Sequence, residues 1–108
     1  MKKLIAAGAA TAVAAGALAI PALAATKSVQ VKDNKFVAKS ITVSKGTMVK
    51  WVWDGKAPHN VKVTKGPAKF ASTTQVKGSY SKKLTKKGTY TILCTIHAPD
   101  MKMTIKVK

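Results

Sequence analysis

The 108-residue chain contains no arginine, no glutamate and only one cysteine, Cys94. A single Cys cannot form an internal disulfide, so no such staple holds this chain together. Without Arg there are no planar forks for bidentate recognition of phosphate or guanine. All 20 basic residues are Lys, set against Asp33, Asp54 and Asp100, for a formal charge of +17. Such a charge invites a nucleic-acid reading. The missing Arg, the scatter of Lys along the chain and the signs of export described next argue against it. Lys instead reads as filler of outer strand faces and turns, where it also blunts sheet edges.

The N-terminus is built for export. Lys2 and Lys3 precede an apolar, Ala-rich run from Leu4 to Ile20, and Pro21-Ala22-Leu23-Ala24 places small residues where a signal peptidase reads. A membrane anchor is the competing reading, but the run is near the lower limit for a span and leans on Ala rather than Leu. No Cys follows it closely, which excludes a lipid-anchored Cys. We expect a secretory signal over residues 1–24 and one mature domain over 25–108, periplasmic or extracellular, without a membrane span after cleavage. Loss of Lys2 and Lys3 leaves 18 Lys against 3 Asp, formally +15. A core of this size is marginal without a metal, a disulfide or tight packing. A lone thiol in an oxidising compartment also calls for a role.

The mature domain alternates apolar and polar residues with a period of two. Val29 and Val31, then Phe36, Ile41 and Val43, then Val49, Trp51 and Trp53 occupy inward positions. Val61 and Val63, the run from Tyr80 to Leu84, the trio Tyr90, Ile92 and Cys94, and the trio Met103, Ile105 and Val107 continue the pattern. Lys45-Gly46, Asp54-Gly55, Lys65-Gly66-Pro67 and Lys87-Gly88 punctuate it. Residues 68–78 read as a loop with a short turn. No helical period, internal repeat or linker is present. Short strands with frequent turn signals predict an all-β sandwich or barrel.

Against this background the chemistry-bearing residues cluster. Cys94, His97 and Met101 fall within eight positions, and His59 lies upstream in Pro58-His59-Asn60. Each has an ordinary structural explanation: a buried Cys, a loop His, a core Met. Together they supply one thiolate, two imidazoles and one thioether, the donor set of a mononuclear blue-copper electron-transfer site. Cys at a strand end and His three residues on can face one metal across a tight loop, and Met four residues further lies where the chain re-enters the sandwich. Met103 offers a second thioether. Met101 is nearer His97 and is the expected axial ligand.

These segments resemble the small cupredoxins, the family of plastocyanin, amicyanin and pseudoazurin. The resemblance rests on Gly46-Thr47-Met48-Val49-Lys50-Trp51, on Pro58-His59-Asn60-Val61, on the run from Gly88 to His97, and on Met101. It implies a two-sheet Greek-key β-sandwich with one copper ion at one end. His59, Cys94 and His97 match the equatorial ligands and Met101 the axial one. Asn60 matches a residue that braces the copper loop, and Thr95 its usual partner. The spacer Ala98-Pro99-Asp100 departs from the usual pattern by placing an acid beside the loop.

The ligand inventory then bounds the function. Two His cannot build the additional copper centres of a multicopper oxidase or nitrite reductase, and four protein ligands leave no open position for substrate. The expectation is an electron carrier and not an enzyme, cycling Cu(I) and Cu(II). The alternative is an exported protein for copper storage, delivery or resistance, although exposed Met- and His-rich tracts are missing. The resemblance implies a docking patch around His97, formed here by Ala57, Pro58, Ile96, Ala98 and Pro99 and rimmed by Lys56 and Lys102. The basic surface points to transient acidic redox partners, to electrostatic association with an anionic envelope, and to a monomer.

Overall fold

A computed structural model describes residues 25–108; the expected signal segment lies outside the described residues. Eight strands follow one another: β1 (Thr26–Lys32), β2 (Lys35–Val37), β3 (Ser40–Val43), β4 (Thr47–Trp53), β5 (Lys62–Lys65), β6 (Ser79–Leu84), β7 (Gly88–Leu93) and β8 (Lys102–Val107). Among the described residues there is no helix. The strands form two four-stranded sheets, in the order β2-β1-β4-β6 and β3-β8-β7-β5. Most pairs are antiparallel, but β1 runs parallel to β4 and β3 parallel to β8. This is the two-sheet Greek-key sandwich expected of the sequence.

Period-two patterning explains the packing, because alternate side chains of a strand leave on opposite faces. In β4, Val49, Trp51 and Trp53 are buried while Lys50 is exposed. In β8, Met103, Ile105 and Val107 face the core while Lys102 and Lys106 face water. Phe36 and Ile41, which read as one apolar run, belong to different sheets: β2 pairs with β1, and β3 pairs with β8. The break falls at the exposed pair Ala38 and Lys39, where inward patterning lapses. The segment between β5 and β6 is more ordered than a plain loop. Ala71 forms an isolated bridge to Lys62 and Gln75 one to His59. Phe70 lies 6.0 Å from Trp51 and 6.2 Å from Tyr90, centroid to centroid, so it caps the aromatic part of the core.

Strand directions bring three connections to one end of the sandwich. Parallel pairing sets the C-terminal ends of β1 and β4 side by side, with Val31 opposite Trp53. Antiparallel pairing sets the end of β7 beside the starts of β5 and β8, with Leu93 opposite Lys62 and Lys102. The β1–β2 turn, the β4–β5 loop and the β7–β8 loop therefore meet there.

Candidate metal centre

Cys94 immediately follows β7, and a compact hydrogen-bonded loop carries the chain from it to Met101. The His97 N–H donates to the Cys94 carbonyl at 3.2 Å, the Met101 N–H to the His97 carbonyl at 3.3 Å, and the Cys94 N–H to the Met101 carbonyl at 3.0 Å. The last bond closes the loop at the mouth of the β7–β8 hairpin. His59 is held from the other ligand-bearing loop. Its backbone exchanges two 3.0 Å hydrogen bonds with Gln75, and its carbonyl accepts the Trp53 indole N–H at 3.1 Å.

The three side chains converge although 35 residues separate His59 from Cys94. Their donor atoms lie within 4.8 Å of one another, the two rings presenting Nδ1. The Nδ1 atoms are 3.2 Å apart, and Cys94 Sγ is 3.8 Å from that of His59 and 3.7 Å from that of His97. The point equidistant from the three atoms lies about 2.1 Å from each, close to first-row metal–imidazole and metal–thiolate bond lengths. Cys94 and His59 are 0% exposed, whereas His97 is half-buried and reaches the surface.

Asp33 meets the outer edge of the His59 ring. Its Oδ1 lies 3.1 Å from His59 Nε2 and accepts the Ala57 N–H at 2.9 Å, while the Lys56 N–H reaches both carboxylate oxygens at 3.0 and 3.1 Å. The Ala57 N–H, then the His59 ring and the Lys56 N–H, hold the Asp33 carboxyl down at about 2. An ionised carboxylate only accepts, so the contact places a proton on His59 Nε2, and in the neutral ring Nδ1 is then the acceptor edge turned towards Cys94 and His97. One thiol and two imidazole nitrogens converge in a largely buried site. Such a donor set fits a soft, borderline cation, and copper suits sulfur and imidazole together.

Asn60 and Thr95 meet through their side chains and backbone. The Asn60 amide donates to Thr95 Oγ1 at 2.9 Å, and Asn60 Oδ1 accepts the Thr95 N–H at 2.8 Å. The pair ties the His59 loop to the Cys94 loop. Met101 is 0% exposed and lies in the loop closed by Cys94 and His97. Met103 is also buried, but its sulfur accepts the Trp51 indole N–H at 3.4 Å. Ile96 is 45% exposed; Pro58, Ala98, Pro99, Lys56 and Lys102 are exposed and Ala57 is half-buried. The sequence did not reveal the contact of Asp33 with His59. Asp33-Asn34 between two apolar alternations signals a turn, but nothing local says that its carboxylate meets a residue 26 positions on.

A family described as copper binding proteins of the plastocyanin/azurin family matches residues 24–108. No curated protein sequence matches the chain. Among solved structures, the oxidised form of a methionine-to-leucine variant of amicyanin is 28% identical, with a TM-score of 0.67 over 75% of this chain and 80% of that one. The reduced form of a tryptophan-to-tyrosine variant of amicyanin is 26% identical, with a TM-score of 0.69 over 82% and 87%. A copper-containing nitrite reductase from Thermus scotoductus SA-01 is 31% identical, with a TM-score of 0.69 over 89% of this chain but only 25% of that one.

Proposed function

The chain belongs to the plastocyanin/azurin family of copper-binding proteins, and from that premise we propose that His59, Cys94 and His97, together with the Met101 thioether, would hold its single copper. The protein is a mononuclear blue-copper electron carrier of the cupredoxin type. The observation that carries the ligand reading is the convergence of one Sγ and two Nδ1 atoms at 3.2 to 3.8 Å in a buried pocket. Met101 is favoured over Met103 because the Met103 sulfur already serves Trp51.

Bound copper supplies one-electron chemistry between Cu(II) and Cu(I). The residues of this chain determine how that chemistry is used. Thiolate, thioether and imidazole together can hold copper in either oxidation state, and the backbone hydrogen bonds that close the loop restrain the ligands. Cys94, His59 and Met101 exclude water by burial, and the partly exposed His97 edge is the route for electrons to and from a partner. Four protein ligands leave no position for a substrate, which supports a carrier rather than an enzyme. Residues 1–24 support export to the periplasm or cell exterior, with a monomer carrying its unbalanced Lys to acidic partners and anionic envelope surfaces.

Copper loading followed by visible spectroscopy tests the assignment. The expected result is an intense thiolate-to-Cu(II) band that disappears and returns with reduction and oxidation. In Cys94→Ser the band should vanish while far-ultraviolet circular dichroism still reports the sheets. Colourless, redox-silent Cu(I) binding would support storage or delivery instead, and a blue Cys94→Ser protein would overturn the ligand set.

A further inference from the structure

We propose that Asp33 is a positioning residue of the copper site: its carboxylate locks the His59 ring with the proton on Nε2, so that Nδ1 faces the metal. The proposal rests on the reading of His59 as a ligand. It assigns a role to a residue from a third loop, the β1–β2 turn, that carries no donor to the site.

The backbone of His59 is held without Asp33. Gln75 takes its N–H and donates to its carbonyl, and Trp53 donates to the same carbonyl. Those bonds leave the imidazole free to turn about its own axis, and a half-turn would exchange the ring edges facing the site. Asp33 Oδ1, 3.1 Å from Nε2, is the polar contact on the far edge of the ring. The carboxylate is itself held. It accepts the N–H groups of Lys56 and Ala57, and it sits at the tip of a hairpin whose first strand is sandwiched between β2 and β4. Asn34, at a φ of 67°, completes the two-residue turn, a conformation Asn tolerates. Gly55 leaves room for the carboxylate, since a Cβ there would collide with Asp33 Oδ1. A carboxylate–histidine–metal relay of this kind fixes the tautomer and makes the imidazole a stronger donor. Its negative charge also favours Cu(II) over Cu(I).

The test compares wild type, Asp33→Ala and Asp33→Asn by three measurements. These are Cu(II) affinity by chelator competition, reduction potential by voltammetry, and the His59 Nε2–H resonance of the Cu(I) protein by NMR. Asp33→Ala should lose about 10–100-fold in Cu(II) affinity, the usual effect of removing such a partner. It should also raise the potential and lose the Nε2–H signal to solvent exchange. Asp33→Asn keeps an acceptor oxygen, so it should retain the resonance while the potential still rises. Asp54→Asn removes the same charge from an exposed pair with Lys32 and should leave affinity and resonance unchanged. Wild-type affinity, potential and resonance in Asp33→Ala would overturn the proposal. Should that variant fail to fold, an unshifted potential in Asp33→Asn would overturn it. His59→Ala separates the two levels: a persisting blue band there would sink the ligand reading itself, whereas a lost band with a silent Asp33→Ala would sink only the positioning role.

Discussion

The two methionines near the site have different surroundings, and the difference makes them separable by mutation. Met101 sits in the loop closed by Cys94 and His97, whereas Met103 gives its sulfur to Trp51 Nε1–H at 3.4 Å. Met101→Leu removes a donor that stabilises Cu(II) but leaves the equatorial set. The copper protein should stay blue and its reduction potential should rise, as read by voltammetry. Met103→Leu conserves volume, so packing alone costs little. It also leaves the buried Trp51 N–H without an acceptor, a loss of about 1–3 kcal/mol. Denaturant melts should therefore show Met103→Leu destabilised with its spectrum and potential unchanged. Swapped outcomes would move the axial role to Met103. Residue types and the spacing of Cys94, His97 and Met101 were legible in the sequence. Which sulfur is already occupied was not, because Trp51 lies 52 residues from Met103 in the chain.

Among the structural elements, the site depends on loops that must stay in register with one another. Asn60 and Thr95 join the β4–β5 loop to the β7–β8 loop through paired hydrogen bonds of 2.9 and 2.8 Å. Asn60→Ala removes both. Each is worth about 0.5–1.5 kcal/mol net, and solvent can reach Thr95, so we expect a loss of about 1–2 kcal/mol by chemical denaturation. The blue band should also shift or broaden as Cys94 gains freedom against His59. An unchanged spectrum and stability would show that the two loops hold their register by other contacts. Strand positions followed from period-two patterning, and each of the seven apolar groups read from the sequence contributes buried residues, although β6 contributes only Leu84. The sheet switch between Phe36 and Ile41 and the bridges from Ala71 and Gln75 were not readable, because pairing partners are chosen through space rather than along the chain.

For the whole molecule, copper and charge are the two dominant features. The described domain is small and has no disulfide, so a ligand that binds only the folded loops should stabilise it by linkage. At a thousandfold excess of copper over its Kd the gain is about 4 kcal/mol. For a domain of this length each kcal/mol moves Tm by about 4–8 °C. Equal melting points for apo and copper-loaded protein would mean that the fold does not preorganise the ligands. Charge acts at longer range. Every described Lys is exposed except half-buried Lys32, which pairs with Asp54 at 3.2 Å, while Asp33 is engaged by the ligand loop. The remaining lysines therefore present a largely unopposed positive field. Stopped-flow oxidation of the reduced protein by an acidic acceptor should slow steeply with added salt, since steering is screened beyond about 10 Å at 0.1 M. A basic acceptor should show the opposite trend. A salt-independent rate with the acidic acceptor would leave the Lys surface to solubility alone.

The sequence by itself determined the β character, the inward-facing residues and the donor types. Strand periodicity, turn chemistry and the eight-residue span from Cys94 to Met101 are all local properties. Tertiary structure decided what those donors face. Parallel pairing of β1 with β4 brings Asp33 to His59, and antiparallel pairing of β5 with β7 brings His59 to Cys94 and His97. Metal chemistry depends on the direction of a lone pair as much as on the identity of a residue, and that direction is set by contacts between segments 26 to 38 residues apart.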